Sequence, residues 1–110
     1  MYNSEIKFNI TLDELRIPEK ISFDAPDGAV KNQETKAVML ALWDDVKKEA
    51  LKIDLWTKEM TIDDMKKFCH QVLISMSATY KRATNDDATH DKMLEFAQEF
   101  AESSGILTEE

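Results

Sequence analysis

Residues 51–80 read LKIDLWTKEMTIDDMKKFCHQVLISMSATY, and the hydrophobic period changes within a few residues of Met60. Leu51, Ile53 and Leu55 alternate with Lys52, Asp54 and Trp56, the period of two that a sheet with one covered face requires. Met65, Phe68, Cys69, Val72, Met76 and Tyr80 then recur every three or four residues, which places them on one side of a helix. A strand therefore runs directly into an amphipathic helix. Thr61 suits the N-cap, Asp63 and Asp64 the positively polarised first turn, and Lys81-Arg82 the opposite end.

Upstream, Ile6, Phe8, Ile10 and Leu12 alternate with Lys7, Asn9 and Thr11, and Ile21 and Phe23 alternate with Lys20, Ser22 and Asp24. These predict strands over 4–12 and 19–24, joined through a short connection at Asp13 to Pro18. Ala25-Pro26-Asp27-Gly28 carries turn chemistry, and the loop is expected to continue to about Glu34. Residues 35–50 are rich in helix formers, yet Val38, Leu40 and Leu42 alternate with Met39, Ala41 and Trp43, and the strand at 50–58 needs a partner. The reading is a strand over 36–44, a turn over Asp44 to Lys48, and a strand over 50–58. Helices follow over 62–82 and 86–103, the second with Met93, Phe96, Ala97, Phe100 and Ala101 on one side and Gly105 as its stop.

The expected fold is thus α+β: a four-stranded antiparallel sheet made of two hairpins, followed by two C-terminal helices packed on one sheet face, in a single domain over 1–110. The other sheet face then presents Lys52, Asp54, Trp56 and Lys58, which leaves an indole among charges.

At 110 residues the chain is long enough to bury a core without metals or disulfides. Fourteen basic against 22 acidic residues give a net charge of −8, which repels nucleic acid and anionic lipid. The single cysteine, Cys69, makes no internal disulfide, and no apolar run approaches the length of a membrane span. With no basic start followed by an apolar stretch at the N-terminus, the expected location is the cytoplasm.

Candidate chemistry is sparse. No Gly-rich phosphate loop, CxxC, HExxH or GxSxG occurs, so neither an enzyme nor a cofactor is expected. Asp44/Asp45 and Asp63/Asp64 are sequence neighbours whose side chains diverge on any regular element. Asp86, Asp87 and His90 have the spacing of a helical metal site but lack a fourth ligand, so they are weak candidates and no metal is expected. His70 and Cys69, adjacent on a helix, do not face each other. Trp43, inside an apolar run, reads as core. Trp56 is the best candidate for a partner-binding anchor, flanked by Lys52, Asp54 and Lys58, because aromatics on otherwise polar faces are enriched at interface hot spots.

The segments Ile-Asp-Leu-Trp-Thr-Lys-Glu-Met at 53–60 and Asp-Met-Lys-Lys-Phe-Cys-His-Gln at 64–71 resemble the GldC family of gliding-motility proteins of the Bacteroidetes. Similarity extends to Ser-Glu-Ile-Lys at 4–7, Asp27-Gly28 and the strand from Lys36 to Trp43, while Thr61 and Cys69 depart from the family pattern. The resemblance implies a non-enzymatic accessory protein that supports gliding through contacts with a protein of the gliding or secretion machinery, and no catalytic residue carries over. A homodimer is compatible with an exposed sheet face; nucleic acid and direct membrane insertion are not expected. Two alternatives stand beside it. One is a secretion-type chaperone holding an extended client along a strand edge near 4–12 or 51–58. The other is a small-ligand-binding protein or hydrolase with a pocket between sheet and helices near Trp43, His70 and Tyr80.

Overall fold

Residues 2–106 are described by a computed structural model, and the chain divides between Met60 and Thr61 into two compact units. In the first, β1 (Lys7–Leu12), β2 (Pro18–Ala25) and β3 (Val30–Thr35) form a three-stranded antiparallel sheet, and β4 (Ala37–Asp44) and β5 (Glu49–Trp56) form a separate two-stranded one. The expected single four-stranded sheet is therefore corrected to five strands in two sheets.

Phe8 lies opposite Phe23 and Ile10 opposite Ile21, as the alternation requires, with the two Phe rings 6.1 Å apart. Ile21, in the central strand, is 1% exposed and anchors this sheet. The β1–β2 connection is closed by the Asp13 carboxylate, whose Oδ1 accepts the Leu15 and Ile17 amides at 2.8 and 2.9 Å, while Arg16 takes a left-handed φ of 65°.

β3 has no apolar alternation, which is why its sequence reads as loop. Val-Lys-Asn-Gln-Glu-Thr becomes a strand because β2 offers it a partner, pairing Ile21 with Thr35, Ser22 with Glu34 and Phe23 with Gln33. The ladder slips between Phe23 and Ala25, where Asp24 Oδ1 accepts the amide of Asn32 at 2.7 Å and Asn32 adopts a φ of 49°. That is bulge geometry, with Asn in the role glycine commonly fills. The turn before β3 is a short 3₁₀ segment, Pro26–Gly28, closed by the Ala29 amide donating to the Pro26 carbonyl at 3.0 Å.

Lys36 alone separates β3 from β4. The Thr57 amide donates to its carbonyl at 2.9 Å and so continues the β4–β5 register one step beyond Ala37 and Trp56.

The second unit is a helical hairpin of α1 (Ile62–Thr84) and α2 (Asp87–Ser104). Thr61 caps α1, its side chain accepting the Asp64 amide at 3.0 Å, and Asn85 ends it in left-handed conformation. Asp86 caps α2 and Gly105 ends it at φ 80°. The most enclosed side chains are small, Ser77 on α1 with Ala97 and Ala101 on α2. No helix of the described residues is long and apolar enough to cross a membrane.

Candidate interaction surface

The β4–β5 ribbon owes its turn to an acid rather than a glycine. Asp44 Oδ1 accepts the amides of Val46 and Lys47 at 3.0 and 3.1 Å, and Lys48 supplies the left-handed residue at φ 55° while its ammonium pairs with Asp45 at 2.7 Å. This fixes a register in which Val38 faces Leu55, Leu40 faces Ile53 and Leu42 faces Leu51. Three wholly apolar rungs line one side of the ribbon.

Expected to be core, that side stays open toward its tip: Leu42, Leu51 and Ile53 are 49%, 57% and 42% exposed. Val38, Leu40 and Leu55 are half-buried.

The other side carries Trp56 opposite Ala37, Asp54 opposite Met39, Lys52 opposite Ala41 and Trp43 opposite Ala50. Both indoles therefore lie on one face, near its two ends, with the Lys52–Asp54 ion pair between them. Trp56 is 55% exposed. Trp43, read as core, is 64% exposed, because this side of the two-stranded ribbon is left open. A cavity of about 250 Å³ beside Trp56 is lined by Ile17, Pro18, Asp54, Leu55 and the indole itself.

Lys58 lies beyond the end of β5 and is directed elsewhere. Its ammonium pairs with Asp13 Oδ2. That hydrogen bond lowers the Asp13 carboxyl below its usual 3.8, helped by the Ile17 and Leu15 amides, and raises Lys58 above its usual 10.5. Of the four residues expected around the anchor, the structure thus groups Trp56, Asp54 and Lys52 and ties Lys58 to the β1–β2 turn. No local spacing signals that pairing, since Asp13 lies on a different hairpin, far back in the chain.

Near the β2 start, a second cavity of about 420 Å³ is lined by Glu19, Lys20, Ile21, Glu34, Thr35, Lys36, Thr57 and Glu59. Its charges are matched in pairs, Lys20 with Glu34 at 3.2 Å and Lys36 with Glu59 at 3.8 Å. Thr57 is 4% exposed and its hydroxyl finds no hydrogen-bond partner among the described residues.

In the helical unit the three weak metal candidates are each engaged separately. Asp86 accepts the Thr89 amide through Oδ1 and the Tyr80 hydroxyl through Oδ2, at 3.0 and 2.9 Å. Hydrogen bonding from the Thr89 side chain, then its amide and the Tyr80 hydroxyl, holds the carboxyl below the usual range. Asp87 pairs with Lys81 at 3.5 Å, and His90 Nδ1 lies 3.0 Å from Asp91. Among the described residues no three His, Cys, Asp or Glu side chains converge on a metal position.

A family model described as Gliding motility-associated protein GldC-like matches residues 18–106. The chain belongs to the GldC-like family. The matched region begins at the first residue of β2 and ends just after α2, so it takes in the ribbon with both indoles and the whole helical hairpin. Membership associates this GldC-like chain with gliding motility. Neither the curated proteins nor the solved structures give a significant match.

Proposed function

We propose that this GldC-like chain is a non-enzymatic accessory factor that supports gliding motility through protein–protein contacts made by the β4–β5 ribbon. The observation that carries the reading is the pair of indoles exposed on one face of that ribbon. Exposed aromatic side chains on a face that also carries charges are the residue type enriched at interface hot spots. The partner is a protein of the gliding or secretion apparatus, met in the cytoplasm. Replacing Trp43 and Trp56 by Ala in the native host should abolish spreading over surfaces while cellular levels of the protein hold. Normal spreading by a strain carrying both changes removes the reading.

A secretion-type chaperone is the second reading, favoured by the outer edge of β1. That strand is bonded only to β2 and leaves Phe8, Ile10 and Leu12 exposed beside open backbone groups, which suits an extended client strand. Protection of β1 amides from hydrogen exchange when an unfolded secreted protein is added would favour it over the ribbon.

A further inference from the structure

The crevice beside Trp56 has the parts of a cation site. Its walls are the indole, Asp54 and Leu55 of β5 and, across from them, Ile17 and Pro18 at the start of β2. Its volume of about 250 Å³ is below the roughly 300–1,000 Å³ of small-molecule pockets and suits one long side chain. Asp54 supplies the charge. Lys52 donates to its Oδ1, while Oδ2 has no hydrogen-bond partner among the described residues, and the side chain is 41% exposed. Because the Thr57 amide bonds the Lys36 carbonyl, the alternation of the antiparallel ladder turns the backbone groups of Asp54 and Trp56 away from β4. Pro18 brings no N–H to meet them. Among the described residues no basic side chain lines the crevice.

We infer that this crevice takes an arginine side chain from a basic segment of the partner protein. A guanidinium is planar and weakly hydrated, so it stacks on an indole while its N–H groups reach a carboxylate, and its methylene stem lies against Ile17, Pro18 and Leu55. Trp56 and Asp54 stand two residues apart on one side of β5, a spacing of about 7 Å, which lets one stacked guanidinium also donate to Asp54 Oδ2. An ammonium suits the site less, because it is a compact and strongly hydrated charge that gives up more water on stacking. The net charge of −8 draws a basic segment toward the chain.

Trp43 provides the contrast. It borders a cavity of about 390 Å³ whose lining includes Asp44, Glu49 and Lys47, and Asp44 Oδ1 is already taken by the Val46 and Lys47 amides. An incoming cation meets a like charge there, whereas the Trp56 crevice holds a carboxylate alone. The two indoles are therefore unequal: Trp56 recognises charge and Trp43 supplies apolar contact.

The inference rests on the reading of the ribbon as a docking surface and names what the partner presents to it. The two fail separately, because the double tryptophan strain is scored in cells and the arginine site on the purified full chain. The chain has two tryptophans, so the indole N–H signals of an isotope-labelled sample report each end of the ribbon by itself, and Trp43→Phe assigns them. Arginine blocked at both ends, as the acetyl amide, should move the Trp56 signal saturably with a dissociation constant of about 1–10 mM and leave the Trp43 signal in place. Blocked lysine should bind about threefold more weakly, and blocked citrulline, the uncharged isostere, about tenfold more weakly. Asp54→Asn should weaken arginine binding about tenfold, with the unmoved Trp43 signal reporting an intact ribbon. No saturable shift up to about 50 mM, equal movement of both indoles, equal binding of arginine and citrulline, or full affinity in Asp54→Asn overturns the assignment.

Discussion

Ile21→Ala should be the most damaging single truncation in the β unit. The side chain is 1% exposed in the central strand, between Ile10 of β1 and Thr35 of β3. Removing three carbons forfeits about 2.4 kcal/mol of transfer free energy at about 0.8 kcal/mol each. Incomplete collapse around the cavity brings the expected loss to about 3–4 kcal/mol. At about 4 °C per kcal/mol for a chain of this size, the melting temperature should fall by roughly 12–16 °C. Ile10→Ala, the same chemistry on the directly opposed but partly exposed residue, should cost about half as much. Both tryptophans lie in this unit, so urea unfolding followed by indole fluorescence reads it directly. Equal losses for the two variants, or a loss below about 1.5 kcal/mol at Ile21, would refute the assignment of Ile21 as the packing centre of the sheet.

Thr57→Val removes a buried hydroxyl that has no partner, so the urea midpoint should rise, by the equivalent of about 1 kcal/mol; a fall would reveal a hydrogen bond at that oxygen. Thr61→Ala deletes the α1 cap and should lower stability by about 1 kcal/mol, read from helical ellipticity during thermal melting. The Asp13–Lys58 pair gives a pH signature. Asp13 titrates lower when folded, so its contribution is present above pH 3.8 and is lost as pH falls through the depressed value. Lys58 titrates higher when folded, so its contribution is complete below 10.5 and is lost as pH rises past the elevated value. Lys58→Met should flatten both limbs of a plot of urea midpoint against pH, and unchanged limbs would assign them to other groups.

How far the fold is legible in the sequence follows from which forces act locally. The helices are readable because their stripes, the Thr61 cap and Gly105 all agree, and they place α1 and α2 within two residues of the observed ends. β5 is readable through strict alternation. β3 is not, because Val30–Thr35 gains its conformation from hydrogen bonding to β2 and from an Asp24–Asn32 bulge, neither of which leaves an apolar period. The turn at 45–48 needs no Gly or Asn because the Asp44 carboxylate holds it. Trp43 misleads for a related reason. Its neighbours in Ala37–Trp43 are apolar on both faces, and such a run hides the fact that one side of a two-stranded ribbon is left open. Trp56 stands out because Lys52 and Asp54 mark its face as the polar one.

Only Lys36 connects two strands that belong to different sheets, and its carbonyl already serves the Thr57 amide. Such a seam has no slack. One extra residue there would rotate all of β4 by half a pleat, carrying Trp43 to the aliphatic side and Leu42 to the charged one, whereas the Asp45–Lys48 loop could lengthen without disturbing either. Among relatives, length variation should therefore gather at the ribbon's tip and spare its root.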